Sequence, residues 1–148
     1  MDPISTISAL YATNMDRHCQ NNNQTAHFTG ALNPMTDLMQ AVTTNSAPPQ
    51  TDRPAADRLI TGDPVFTTWN IEETDGLYAG LWQSTPGKWR IIYDEWEYFH
   101  ILSGVSIVSD ENGAAVTLRA GDSYIIRPGF RGTWEVVETT LKDYVIRL

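Results

Sequence analysis

From residue 59 onward the sequence breaks into short β-prone runs, and this spacing constrains the fold more than any other feature. The runs are rich in β-branched and aromatic residues, and turn residues separate them at intervals of roughly 8–12 positions. Asn112-Gly113 is a strong hairpin signal, because both residues tolerate a positive φ angle. The pattern predicts an all-β sandwich or barrel. The predicted strands are 65–69, 77–82, 88–93, 96–102, 105–109, 115–118, 123–126, 132–137 and 141–147.

The first 58 residues differ in composition from the rest of the chain. They contain no tryptophan, whereas all five tryptophans fall within residues 59–148. Few large apolar side chains leave little burial to offset the entropy lost on ordering. We therefore predict an N-terminal extension over residues 1–58, partly disordered or with short helices near Ser5 and from Asn33, and one folded domain over residues 59–148. Within the extension, the proline-containing segment 47–54 is predicted to be a linker.

Charge balance and cysteine content exclude several classes of protein. Ten lysines and arginines against 18 aspartates and glutamates give a formal charge of −8, which argues against binding to nucleic acid or to an anionic membrane surface. No apolar run approaches the roughly 18–20 residues that cross a bilayer. A single cysteine, Cys19, rules out an internal disulfide framework. No secretory signal is visible, so we expect a cytoplasmic location.

Two adjoining stretches of the chain resemble a known family. Residues 94–122 read DEWEYFHILSGVSIVSDENGAAVTLRAGD, and residues 121–146 read GDSYIIRPGFRGTWEVVETTLKDYVI. Together they resemble the cupins, and within them the branch of the ureidoglycine aminohydrolase cupin domain. The resemblance covers residues 60–148 and implies a double-stranded β-helix, the jelly-roll barrel of the cupins, behind the N-terminal extension. It also implies a homodimer, since cupins commonly pair through strands near the N-terminus.

The metal-binding positions that this resemblance implies are largely lost. The glutamate of the first cupin motif corresponds to Glu97. Six residues lie between Glu97 and Gly104, which corresponds to the glycine of the motif. The two histidine positions of that motif fall on Ile91 and Tyr93, and the histidine position of the second motif falls on Gly132. Of three imidazoles and one carboxylate, only the carboxylate remains. We therefore predict no metal and no other cofactor.

His100 is the one histidine within residues 59–148, and it lies three positions after Glu97. Alternate residues of a strand face opposite sides. If Glu97 faces the barrel lumen, Phe99 and Ile101 face it too, and His100 faces away. We interpret His100 as a core or inter-sheet histidine.

A small barrel can hold one small ligand, and the candidate site combines acid, amine and phenol groups. The cupin branch named above has lysine at the position of Lys142, so we expect this side chain to point inward. An unpaired buried Glu97 would be costly, which makes Lys142 or Tyr93 its natural partner. Glu97, Lys142 and Tyr93 are the catalytic candidates as an acid/base set or anion anchor, and a structural ion pair is the alternative. The candidate ligand-binding residues are Trp82, Ile91, Phe99, Arg127, Trp134 and Tyr144.

Three functional hypotheses remain open at this point. The first is a metal-independent enzyme acting on a small polar metabolite by lyase, isomerase or amidohydrolase-type chemistry. The second is a binding or accessory module that recognises a small ligand without turnover. The third is a mainly structural homodimer whose extension engages a partner. The aminohydrolase activity itself is not carried over, because the chain does not reproduce the metal site that it uses.

Overall fold

The computed structural model describes residues 38–148, and antiparallel strands make up most of this range. The all-β prediction is therefore confirmed. The candidate helix near Ser5, the start of the one from Asn33, and Cys19 lie outside the described residues. The strands are β1 Gln50–Asp52, β2 Leu59–Gly62, β3 Phe66–Thr74, β4 Leu77–Ser84, β5 Gly87–Ile92, β6 Trp96–Asp110, β7 Ala115–Arg119, β8 Ser123–Ile126 and β9 Arg131–Arg147.

Two long strands, β6 and β9, run through both layers of the fold. The first part of β6 pairs with β8 and with the last part of β9, and β4, β3 and β1 follow to complete sheet one. The last part of β6 pairs with β7 and with the first part of β9, and β5 and β2 complete sheet two. Phe66 of β3 meets Trp89 of β5 with ring centroids 4.8 Å apart, so the sheets pack face to face. This is the jelly roll that the resemblance implied.

A glycine explains why strands predicted as separate are continuous. Gly104 lies in the middle of β6 with a φ angle of 89°, and register shifts surround it. A Cβ atom there would lie 2.1 Å from the carbonyl oxygen of Thr139 on β9, so only glycine permits this approach. The chain therefore bends from one sheet into the other without leaving the hydrogen-bonded ladder. The runs 96–102 and 105–109 join into β6, and 132–137 and 141–147 join into β9.

The core lies between the two sheets and follows the predicted alternation. Glu97, Phe99 and Ile101 are at most 1% exposed, whereas Tyr98 and His100 on the same strand are partly exposed. The prediction that Glu97 faces inward and His100 faces away is thus confirmed. The buried hydrophobic cluster comprises Phe66, Tyr78, Trp82, Trp89, Ile91, Tyr93, Phe99, Ile101, Leu118, Ile126, Trp134, Val136, Tyr144 and Ile146.

One short strand lies in the segment predicted to be a linker. β1 pairs with β3, with Thr51 opposite Thr67, at the edge of sheet one. The linker prediction for 47–54 is therefore wrong for residues 50–52, because their backbone groups satisfy the open edge of β3. The boundary at residue 59 stays a prediction. Within residues 38–148 no helix is long and apolar enough to span a membrane.

Candidate ligand pocket and the buried ion pair behind it

A buried ion pair joins β6 and β9 inside the barrel. The ammonium nitrogen Nζ of Lys142 lies 2.7 Å from Oε1 of Glu97, and the two side chains are 2% and 1% exposed. Lys142 is placed there by its register, opposite Ile101 on β6 and Trp82 on β4. The prediction that Lys142 points inward is confirmed, and of the two partners considered for Glu97, Lys142 and Tyr93, the ion pair forms with Lys142. Their catalytic role stays a prediction.

Three aromatic rings surround the Lys142 ammonium. Its Nζ atom lies 5.1 Å from the ring centroid of Trp82, 4.8 Å from that of Phe99 and 4.6 Å from that of Trp134. Aromatic faces attract a cation electrostatically, and the attraction is larger where water is excluded. The rings and the carboxylate together compensate a charge that would otherwise be costly to bury.

Tyr93 lies beside this pair and is fully buried. Burial is the largest cause that raises the pKa of its phenol well above 10, and the negative charge of Glu97 raises that pKa further. Within residues 38–148, neither the Tyr93 hydroxyl nor Oε2 of Glu97 makes a well-formed hydrogen bond. The phenol is thus held in its neutral form, with a proton available beside a carboxylate oxygen.

The Tyr93 backbone also anchors the turn at 127–130. Its N–H donates to the carbonyl oxygen of Phe130 at 2.9 Å, and its carbonyl oxygen accepts the N–H of Gly129 at 2.7 Å. The rings of Tyr93 and Phe130 meet edge to face, with centroids 6.4 Å apart. The turn that carries Arg127 and Phe130 is therefore held against the barrel.

An open pocket of about 490 Å³ lies between β7, β8 and the 127–130 turn, and we call it the mouth pocket. Phe99 stands in its wall and also faces Lys142, so this ring separates the pocket from the ion pair. Tyr124 stacks on Phe99 with centroids 6.1 Å apart and an interplanar angle of 27°. The remaining described lining residues are Val108, Asp110, Ala114, Ala115, Val116, Leu118, Ile125, Ile126, Arg127, Pro128 and Phe130.

Two charged residues, Asp110 and Arg127, line the mouth pocket. The carboxylate of Asp110 is already engaged in hydrogen bonds to the backbone. Oδ1 of Asp110 accepts the backbone N–H groups of Asn112 at 2.8 Å and Ala114 at 3.0 Å, which fixes the hairpin between β6 and β7. Arg127 has no ion-pair partner within the described range and is exposed at the rim. Its guanidinium is therefore the lining group best suited to meet an anionic ligand group.

The structure divides the predicted site residues into two sets. Phe99 and Arg127 line the mouth pocket. The other candidates lie behind it in the core, where Tyr144 donates a hydrogen bond to Oδ1 of Asn70 at 3.1 Å. These interior candidates are Trp82, Ile91, Trp134, Tyr144, Tyr93, Glu97 and Lys142.

Sequence reasoning missed most of the pocket wall. Leu118, Tyr124, Ile126 and Phe130 were not among the candidates, although Tyr124 and Ile126 show an alternation that places both on the inner face of β8. That signal was available from the sequence. The opening of the barrel between β7 and β8, which exposes those side chains to a ligand, was not.

His100 is not a core or inter-sheet histidine, and that interpretation is wrong. Its Nδ1 atom lies 3.3 Å from Oδ2 of Asp143 on the outward face of sheet one, and about a third of each side chain is exposed. The cause is the position on the strand: the inner face is already taken by Phe99 and Ile101, so His100 points outward.

The residues at the metal positions of the cupin motifs do not fit a metal ion. Among residues 38–148 no three His, Cys, Asp or Glu side chains gather into a possible metal site. Gly132 stands where the second motif has histidine, and a Cβ atom there would lie 1.9 Å from the carbonyl oxygen of Ser109. The Lys142 ammonium already holds Oε1 of Glu97, and a second cation beside it would be repelled.

Comparison with known proteins decides the family. The EutQ-like cupin domain matches residues 71–144. The chain belongs to this cupin family. The cupin resemblance is therefore confirmed, whereas the match does not reach the narrower ureidoglycine branch. No curated protein matches this cupin in sequence.

Solved structures support the same fold. A protein of unknown function from Pseudomonas syringae pv. tomato is 25% identical with a TM-score of 0.59, covering 66% of this cupin and 43% of that chain. The EutQ protein of Clostridium difficile is 19% identical with a TM-score of 0.53, and the match covers 65% of this cupin and 79% of that chain. Ectoine synthase from P. lautus is 13% identical with a TM-score of 0.51, and the match covers 55% of this cupin and 63% of that chain. This cupin thus spans less than half of the Pseudomonas protein, and the other two likenesses show the fold alone.

Proposed function

We propose that this cupin binds a small ligand in the mouth pocket, with an apolar body against Phe99 and Leu118 and an anionic group at Arg127. The single observation that carries the proposal is an open cavity of about 490 Å³ whose wall is mainly apolar and whose available cation stands at the rim. Small-molecule sites typically combine such a lining with a few placed polar groups. The mainly apolar wall favours an amphipathic ligand among the small polar metabolites expected from the sequence.

A matched pair of probes tests the ligand chemistry. Anilinonaphthalene sulfonate carries an apolar body and an anion, and N-phenyl-1-naphthylamine has the same rings without the anion. We expect both to bind with enhanced fluorescence, and Arg127→Gln to weaken only the sulfonate, by about 5- to 30-fold for a partly solvated charged contact. Equal loss for both probes, or none for either, contradicts the role of Arg127.

A blocking variant tests the location. Val116 lines the pocket from β7 and is 42% exposed, so Val116→Trp should fill the cavity without disturbing the core. Thr117 is the next residue and is exposed on the opposite face of the same strand, which makes Thr117→Trp the matched control. We expect the first change to abolish binding of both probes and the second to leave it intact. Unchanged binding in Val116→Trp would show that the ligand site lies elsewhere.

A second candidate function, metal-independent proton-transfer chemistry, is favoured by one observation. The Tyr93 hydroxyl and Oε2 of Glu97 lack well-formed hydrogen bonds and lie behind Phe99, which separates them from the mouth pocket. A ligand that moves the Phe99 ring would meet a neutral acid and a carboxylate, as a lyase or isomerase requires. Incubation with small metabolites in deuterated water, followed by mass spectrometry, tests this. Deuterium incorporation that persists in Tyr93→Phe and Glu97→Gln contradicts the assignment.

The narrower evolutionary and cellular assignments are part of the same proposal. Placement near the ureidoglycine aminohydrolase branch rests on the motifs in residues 94–146, with Lys142 as its most specific match. A cytoplasmic site of action rests on the single cysteine, which leaves the given sequence without an internal disulfide. Localisation of the tagged full chain by microscopy and cell fractionation tests the second assignment.

A further inference from the structure

Strand β8 forms an open edge of sheet one beside the mouth pocket. In the part of the chain that the structure describes, its backbone pairs with β6 alone. The N–H of Ile101 on β6 donates to the carbonyl oxygen of Asp122, just before β8, at 2.9 Å. Since the backbone groups of successive strand residues point to opposite sides, those of Tyr124 face β6. The N–H and C=O groups of Ser123 and Ile125 therefore face the open edge.

The other edge strands carry features that hinder further pairing. β1 has three residues and directly follows a proline, and β2 has a register shift between Leu59 and Thr61. On β7, the N–H of Arg119 already donates to Oδ2 of Asp122 at 2.8 Å. Such devices protect edge strands from unwanted partners. β8 instead keeps a regular register with β6 along its whole length, and its Ile125 is 43% exposed. Its edge is thus available to another strand.

A strand added at this edge would place side chains in the mouth pocket. Tyr124 and Ile126 face inward from β8, and Val116 and Leu118 face them from β7 across the gap between the sheets. Side chains at the same level of neighbouring strands point the same way. Every second residue of an added strand would therefore continue the inner face of sheet one, and the apolar pocket is the space that these side chains would enter.

Arg127 directly follows β8 and stands at the pocket rim without an ion-pair partner among the described residues. A peptide strand running parallel to β8 would end beside this guanidinium, which suits a terminal carboxylate. We propose that the ligand of the mouth pocket is the C-terminal end of an extended peptide that pairs with the open edge of β8. The inference rests on the proposed function and specifies its ligand. Main-chain pairing supplies affinity in this mode, and pockets for alternate side chains supply specificity.

The register of the peptide follows from the groups that β8 offers. The last residue of the peptide lies level with Ile126, so the last and third-last side chains face the pocket and the second-last faces solvent. The N–H of the third-last residue donates to the C=O of Ser123, and its C=O accepts the N–H of Ile125. The N–H of the last residue donates to the C=O of Ile125. A net charge of −8 on the protein disfavours acidic residues elsewhere in the peptide.

Selection from a peptide library tests this ligand class on the full-length protein. Random hexapeptides with a free C-terminus are compared with the same library amidated at the C-terminus. We expect selection of valine, isoleucine, leucine or phenylalanine at the last and third-last positions, and from the free-acid library only. A failure to select any sequence, or equal selection from the amidated library, would overturn the proposal.

Backbone changes in the protein test the strand pairing, with a selected peptide labelled with fluorescein and its binding measured by fluorescence anisotropy. Ile125→Pro removes an edge-facing N–H without breaking a bond to β6. Thr117→Pro makes the same change at the edge of β7 and is the matched control. We expect the first change to raise the peptide Kd at least about 10-fold and the second to raise it less than about 3-fold, with folding checked by circular dichroism. Equal effects would refute pairing at β8.

Changes in the peptide give the same test if Ile125→Pro does not fold. An N-methyl group on the last residue blocks the bond to β8 and should raise the Kd at least about 10-fold, whereas one on the second-last residue points away and should be tolerated. Equal loss from both would exclude strand addition. Peptide binding that persists in Val116→Trp would also overturn the proposal. If the naphthalene probes bind the wild type and no peptide does, this inference fails and the proposed function stands.

Discussion

Removal of the Lys142 ammonium gives the sharpest test of the barrel interior. Lys142→Met keeps an unbranched chain of similar volume against Trp82, Phe99 and Trp134, so the packing loss is small. Glu97 is left 1% exposed with no cation beside it. Leaving one partner of a buried ion pair uncompensated costs about 3–5 kcal/mol, and a domain of this size unfolds with about 5–15 kcal/mol. We therefore expect a large fraction of the stability to be lost.

Urea denaturation measures the loss in the free energy of unfolding, provided that the m-value is unchanged. Two comparison variants show where the loss comes from. The double variant Lys142→Met with Glu97→Gln removes both charges and should recover most of the stability, since the cost comes from the unpaired carboxylate. Lys88→Met removes the solvent-exposed pair with Glu135, whose side chains are 33% and 39% exposed, and should cost less than about 1 kcal/mol. A Lys142→Met loss as small as that of Lys88→Met, or no recovery in the double variant, would refute the reasoning.

Two further predictions follow from the site geometry. Gly132→Ala should destabilise the protein by about 1–3 kcal/mol in thermal unfolding, because its Cβ would meet Ser109, whereas Thr133→Ala on the same strand should have little effect. The raised pKa of Tyr93 means that the folded protein keeps a proton that the unfolded chain releases near pH 10, so this group lowers stability as pH rises above about 10. Tyr93→Phe should therefore flatten the fall in unfolding free energy between about pH 9 and 11, and an unchanged slope would contradict the buried-phenol assignment.

The inward and outward residues of β6 could be predicted from the sequence, but the ligand pocket could not. The period of two in a strand assigns Glu97, Phe99 and Ile101 to one side and His100 to the other without any coordinates. The need of a buried carboxylate for a partner left Lys142 or Tyr93 as candidates, and the family resemblance implied that Lys142 points inward; the structure shows the ion pair with Lys142. The alternation argument is local, so it holds although the cupin metal ligands are lost.

The position of the cavity depends on how distant elements meet. Phe130 and Leu118 reach the mouth pocket because β7 and β8 pair with successive parts of β6 and leave an opening between them. The core assignment of Trp82 and Trp134 against Lys142 likewise depends on the two sheets closing on each other. These arrangements come from long-range pairing, which periodicity along a single strand does not encode.

Alternation and turn chemistry were enough to predict most of the strands and an all-β fold, because they depend on neighbouring residues. The family resemblance supplied the jelly roll and the missing imidazole positions. Sheet closure alone decided that Glu97 and Lys142 lie sealed behind Phe99, that Gly132 has no room for a side chain, and that the outward-facing His100 meets Asp143. The reason is physical: which groups exclude water, and which meet it, is set by surfaces brought together from opposite ends of the chain.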